Sequence, residues 1–216
     1  MSEINDEYIP ALSYRFLTPF YDFIQKYIVR DIRYKSLLVA QANIQPGHHV
    51  LDLGCGTGTL AIMAKLAQPS AEVAGLDADP DMLKVAKYKS AQQNVPVNFD
   101  LGFTNKLPYP DDSFDRVLSS IMIHHLKTPD KIQTAREVYR VLKPGGQLHI
   151  IDFGKPVTWY GKILGPLLHK FEEANDNIDG RLPEIFGAPG LKTEIVGNFW
   201  TFFGDQAFLR GEKPLK

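Results

Sequence analysis

The run His48-His49-Val50-Leu51-Asp52-Leu53-Gly54-Cys55-Gly56-Thr57-Gly58-Thr59 decides the fold. Val50, Leu51 and Leu53 read as a short parallel strand buried on both faces, and it feeds directly into a glycine-rich turn. Gly54, Gly56 and Gly58 carry no Cβ to hold a ligand off the backbone. The helix that follows points its unpaired N-terminal N–H groups toward whatever is bound. A nucleoside cofactor fits that description. A dinucleotide-binding turn would read G-x-G-x-x-G, whereas here the third glycine comes one residue early and Asp52 stands two residues ahead of the first. A carboxylate there suits a cationic group better than a pyrophosphate.

Downstream, the periodicity alternates between helix and strand, as a doubly wound α/β sheet requires. Leu60, Met63, Ala64 and Ala67 recur at helical spacing and stop near Pro69, and Glu72-Val73-Ala74-Gly75-Leu76 then reads as a strand closing at Asp77. Asp79 is an N-cap followed by Pro80 at the first helical position, with Met82, Val85 and Ala86 on the inner face. Val95 to Leu101 is expected as a third strand and Phe114 to Ser120 as a fourth. Ile132, Ala135, Val138 and Leu142 mark another amphipathic helix, which Lys143-Pro144-Gly145-Gly146 ends before a strand from Gln147 to Phe153. No internal repeat or low-complexity stretch interrupts the pattern. Asp77 falls at the C-terminal end of its strand, the edge at which open parallel sheets present ligands. Its two oxygens suit the two hydroxyls of a ribose, with Ala78 against an adenine edge. An ordinary loop aspartate is the alternative.

The 216 residues carry 24 Lys and Arg against 25 Asp and Glu, a formal charge of −1, so no broad basic field exists to hold nucleic acid. A hydrophobic content of 44% over this length fills one sizeable core and calls for no second domain. A single domain over 1–216 is therefore expected: N-terminal lid helices over 1–45, a cofactor-binding core over 46–153, and a substrate insert with the final strands over 154–216. The single cysteine, Cys55, excludes an internal disulfide and a cysteine zinc cluster, and reads as a small residue in a tight turn. The N-terminus lacks the layout of a signal peptide, and no apolar run reaches membrane-spanning length. The expectation is a soluble cytoplasmic enzyme, with peripheral contact with a lipid phase left open and the oligomeric state unread.

The pattern D-x-G-x-G-x-G from Asp52 to Gly58 resembles motif I of the class I S-adenosylmethionine-dependent methyltransferases. Leu107-Pro108-Tyr109-Pro110-Asp111-Asp112-Ser113-Phe114-Asp115 is similar to the L-P-F-x-D-x-S-F-D segment of small-molecule members of the quinone-biosynthesis type (methyltransferase type 11). Val141-Leu142-Lys143-Pro144-Gly145-Gly146 resembles their turn before the fifth strand, so the likeness runs from about Val50 to Phe153. It implies a Rossmann-like seven-stranded sheet, mostly parallel with an antiparallel last strand, whose final strands lie near Lys192–Val196 and Trp200–Phe208. It also implies S-adenosylmethionine as cofactor and a small-molecule methyl acceptor. Within the resemblance, Asp52 serves the ammonium end of the cofactor, and Gly54, Cys55, Gly56, Gly58, Asp77, Ala78 and Ser119 join it in the cofactor site. One departure stands out. Where the family often reads G-D-A after the third strand, this chain has Gly102-Phe103-Thr104, without the carboxylate that accepts from the adenine amino group. Phe103 is then either a stacking surface for the purine or plain core, and Thr104 offers a hydroxyl at the adenine rim.

A sulfonium methyl is already electrophilic and leaves behind a neutral thioether, so such an enzyme mainly aligns its acceptor, which supplies roughly 7–11 kcal/mol. A base is needed only where the nucleophile carries a proton. In Ile121-Met122-Ile123-His124-His125-Leu126, His125 and then His124 are the candidates for that role, the alternative being a helix cap or a loop tie. No metal site is expected from this pair, because adjacent residues point apart and no third ligand is near. Phe16, Phe20, Phe23, Ile24 and Tyr27 form an apolar helical face ahead of the sheet, either a lid over the cofactor or a helix packed on the sheet for stability, and Tyr21-Asp22 resembles the family's Y-D, whose aromatic often covers the sulfonium through cation–π attraction. Trp159, Tyr160, Ile163, Leu164, Leu167, Leu168 and Phe171 form a second stripe, either core or the wall of a pocket for an apolar or aromatic acceptor. Methylation of a protein or peptide, or cofactor binding without turnover, are the other functions these features allow.

Overall fold

The computed structural model describes residues 31–159, 173–201 and 204–215. Val50 through Leu53 are all buried in strand β1 (His49–Leu53) because helices cover both faces of the sheet. Along the strands successive side chains enter opposite layers. Leu51, Val117 and Ile150 face a core shared with Val138 and Phe186. Their neighbours Val50, Leu118 and Ile151 face a second core with Leu38, Ala61 and Phe99.

The other elements in chain order are α1 (Asp31–Ala42), α2 (Thr59–Ala67), β2 (Glu72–Asp77), α3 (Pro80–Gln92), β3 (Asn98–Leu101) and β4 (Phe114–Ser120). A 3₁₀ turn (Ile123–His125), α4 (Thr128–Val141), β5 (Leu142–Phe153), α5 (Asn175–Ile178), α6 (Leu182–Gly187), β6 (Lys192–Thr201) and β7 (Gly204–Glu212) follow. They build a seven-stranded sheet of order β3-β2-β1-β4-β5-β7-β6. The first five strands are parallel, and β7 runs antiparallel to both β5 and β6.

Several boundaries differ from those expected. Val95 is not in β3: its N–H bonds back to the Ser90 carbonyl to close α3, and Pro96 then delays the strand to Asn98. The Lys143–Gly146 turn does not precede β5 but lies within it, because Gly145 and Gly146 pair with Lys213 across the sheet. The expected strand Trp200–Phe208 is split, its ends falling in β6 and β7. Ile132 is exposed and Lys131 occupies the inner face of α4 in its place. Burying that ammonium is possible because it donates to the Glu173 carbonyl (2.5 Å) and to Asp176 (3.4 Å). Of the lid expected over 1–45, the described part forms α1, which packs on α2, β4 and β5 and so covers the sheet.

Candidate functional site

The strand order reverses between β1 and β4, which opens a crevice beyond their C-terminal ends. On one side lies the glycine turn. Gly54 and Cys55 both donate their N–H to the Leu76 carbonyl (2.9 Å each), and Gly58 donates to Cys55 (2.9 Å). The three glycines serve different neighbours. A Cβ on Gly54 would overlap the Met122 side chain, and one on Gly58 would stand 2.8 Å from Phe99 Cζ and 2.9 Å from the Ala86 Cβ. Only at Gly56, with φ of 51°, does the Cβ direction meet nothing within 4 Å. That open direction is where a ligand can approach the backbone. The Cys55 thiol is buried and pushed well above its ordinary range, first by burial and then by Asp52, which leaves it a poor nucleophile.

Two carboxylates hold this turn. Asp77 accepts from the Gly56 N–H through Oδ2 (2.7 Å) and from Asp79 through Oδ1 (2.9 Å). Burial raises its carboxyl while these N–H groups pull it back. Asp52 is 1% exposed and accepts from Ala61 N–H in the first turn of α2 (2.9 Å). Burial, the largest influence, raises its carboxyl to about 7. Its place is therefore beneath the turn, bracing β1 against α2. Ala78 is half-buried beside Asp77, and Gly102 N–H donates to the Asp77 carbonyl (3.0 Å), which brings Phe103 into the same neighbourhood. Phe103 is 43% exposed, so it does not fill the core. Thr104 turns its hydroxyl to Thr134 on α4 (2.9 Å).

On the other side of the crevice, β4 is followed by Ile121 with φ of 50°. A β-branched residue there costs roughly 1–2 kcal/mol, so its surroundings must impose the turn. Its N–H donates to the Ile151 carbonyl (2.8 Å). The next residues meet Asp152 at the end of β5, which accepts from His124 Nδ1 (2.8 Å), Met122 N–H (3.1 Å) and His124 N–H (3.3 Å). Burial works to raise the Asp152 carboxyl, but His124, through its charge and its ring hydrogen bond, together with the Phe153 N–H, outweighs it and holds it below the ordinary carboxylate range. His124 is 3% exposed, whereas His125 is only half-buried. The two rings do not point apart as expected: the tight 3₁₀ turn brings their centroids to 4.0 Å. Ser119 is fully buried and spends its hydroxyl on the Leu53 carbonyl (3.0 Å), tying β4 to β1 just below the crevice.

Tyr21, the other N-terminal aromatics and Tyr160 to Phe171 lie outside the described residues. Trp159, at the edge of that stripe, is 76% exposed. Asp152 and Met122 were not singled out in the sequence, although Asp152 ends a parallel strand just as Asp77 does, and the same positional argument would have found it.

Residues 50–146 match the methyltransferase-domain family. A demethylmenaquinone methyltransferase of Listeria monocytogenes serotype 4a is 35% identical over 161 residues, covering 72% of this chain and 66% of that protein. One of the same name from Lactiplantibacillus plantarum is 38% identical over 156 residues, covering 65% of each. The chain thus spans just under two thirds of the length of these relatives. Among solved structures, YcgJ of Bacillus subtilis aligns with a TM-score of 0.68 at 20% identity, covering 85% of this chain and 100% of that one. Phosphoethanolamine N-methyltransferase 2 of Haemonchus contortus, solved with S-adenosyl-L-methionine, aligns at 0.72 with 18% identity, covering 91% of this chain and 56% of that one. The structural matches share the fold; the family match makes residues 50–146 of this chain a methyltransferase domain.

Proposed function

We propose that this chain transfers a methyl group from S-adenosylmethionine to a small, quinone-like acceptor of apolar or aromatic character. One observation carries the reading: Met122 packs against Gly54, so the cofactor turn and the turn bearing His125 meet at one sheet edge. The site fits the cofactor, since the Gly56 direction is open and a half-buried carboxylate, Asp77, stands beside it. In this reading the backbone of Gly54, Cys55, Gly56 and Gly58 lies under the cofactor, Asp77 receives its ribose hydroxyls, and Ala78 and Phe103 flank its adenine. Asp52 acts on the ammonium end through the turn it braces, and Thr104 and Ser119 hold the surrounding loops. Tyr21 would cover the sulfonium end.

When bound, S-adenosylmethionine supplies an electrophilic sulfonium methyl and a neutral leaving group. The chain's own contribution is alignment of the acceptor, and in this reading His125 takes a proton from it or holds its hydroxyl in line. His124, committed to Asp152, supports His125. The relatives' name points to a quinone-type ring as acceptor class. No helix among the described residues is long and apolar enough to cross a membrane, and the reading keeps the cytoplasmic setting, with an apolar acceptor reached at a lipid surface. Incubation with methyl-labelled S-adenosylmethionine, reduced demethylmenaquinone and a mixed metabolite extract tests this. Label in a small molecule is the expected result. Label in protein, or saturable cofactor binding without any methylated product, would overturn it.

A further inference from the structure

Asp152 is 1% exposed, yet its carboxylate stays in the charged form and is surrounded by donors. It accepts from Phe153 N–H (2.7 Å), His124 Nδ1 (2.8 Å), Met122 N–H (3.1 Å) and His124 N–H (3.3 Å). Three of these four donors belong to the segment between Ile121 and His125. That segment leaves β4 through the left-handed Ile121, a conformation a β-branched residue keeps only when its neighbours over-determine it. The neighbours that hold it come from β5: Ile121 N–H donates to the Ile151 carbonyl (2.8 Å), and the next residue, Met122, donates to Asp152 (3.1 Å). An amide in its place would offer one acceptor oxygen and turn an NH₂ group toward backbone N–H groups.

We infer that Asp152 is a positioning residue for methyl transfer: by drawing Met122 and His124 onto the end of β5, it sets where His125 stands over the glycine turn. The inference rests on the proposed role of His125 and adds to it a residue that touches neither cofactor nor acceptor. Met122 links the two sides, because its backbone is held by Asp152 while its side chain lies against Gly54.

The test is Asp152→Asn in the full chain, with three readouts: cofactor affinity by calorimetry, kcat and KM for the methylated acceptor, and ¹⁵N spectra of the histidine rings. Misplacing a reacting group by an ångström costs on the order of 100-fold, so kcat should fall by about 10- to 100-fold while cofactor affinity and acceptor KM change less than about threefold. The His124 Nδ1 and His125 ring signals should move. Adding Ile121→Gly, which accepts the left-handed turn without penalty, should restore at least about fivefold of the lost kcat. Unchanged kcat, a parallel loss of cofactor affinity and kcat, or a double variant that recovers nothing would each overturn the inference. If Asp152→Asn does not fold, the double variant is measured in its place, and failure of both to fold would make Asp152 a residue of the fold alone. Should the wild-type protein methylate nothing, the proposed function fails by itself. The ring spectra still decide the role of Asp152, since unmoved histidine signals would refute it.

Discussion

The two halves of the crevice use the same device for different ends. At the end of β2, Asp77 closes onto backbone N–H groups of Gly56 and Asp79, so what it shapes is main chain. At the end of β5, Asp152 closes onto the turn that carries His124 and His125, so what it shapes is the placement of side chains. A ligand gripped by backbone needs little from residue identity beyond glycine and one carboxylate. In the proposed reading, a reacting group carried beyond a left-handed isoleucine needs a second strand to keep it there. The cofactor half is therefore the more general part of the site, and the acceptor half the more particular.

The largest effect should come from the acceptor half. His125→Ala is expected to lower methyl transfer by about 10²- to 10⁴-fold with cofactor affinity nearly unchanged, as read by single-turnover rates and calorimetry. Full turnover across the pH range would reduce catalysis here to alignment alone.

Within the cofactor half, the glycines divide by what they touch. Gly58→Ala combines a left-handed backbone with overlap on Phe99 and Ala86, for a loss of about 2–5 kcal/mol in urea unfolding. Gly56→Ala meets open space and should cost only about 1–2 kcal/mol of stability while sharply weakening cofactor binding. If both variants bind cofactor equally well, the open direction at Gly56 is not the cofactor's.

Asp52 gives the cofactor half a pH dependence. Its carboxyl rises from an ordinary 3.8 to about 7 on burial, so the unfolded chain gives up this proton first. The stability it contributes is whole below pH 3.8 and is lost as pH rises toward 7, a decline of up to about 4 kcal/mol. Asp52→Asn keeps an oxygen for the Ala61 N–H and should remove that decline, measured as the difference between variant and wild type at pH 4, 5.5 and 7. An identical pH profile in both would show that Asp52 ionises freely in the fold.

A smaller change in cofactor affinity is expected at the ribose. Asp77→Ala should weaken S-adenosylmethionine and its demethylated product by similar factors, about 1.5–3 kcal/mol for hydrogen bonds to a charged group. Because Asp77 also latches Gly56, some loss of stability should accompany it. A defect confined to turnover would remove it from the ribose.

Legibility in the sequence follows the range of the interactions. Asp79 reads correctly as an N-cap because its partners, Asp81 and Met82, are two and three residues away. The face of α4 does not: Ile132 belongs inside by hydropathy, yet Lys131 takes the place because Asp176, far along the chain, receives its charge. His124 and His125 are visible as titratable neighbours. The contact of their tilted rings depends on a 3₁₀ turn that no local propensity announces.

What the sequence determined by itself was the alternation of strand and helix, the glycine turn after β1 and the carboxylate that ends β2. Each rests on spacing within one element and its adjoining turn, where covalent connection already sets the geometry. Only the tertiary structure decided which glycine faces open space, which histidine is buried, and that Asp152 gathers the turn after β4. Those depend on Phe99 and Asp152 arriving from other strands and Met122 from the turn after β4, and the contacts that bring them there exist only once the sheet has formed.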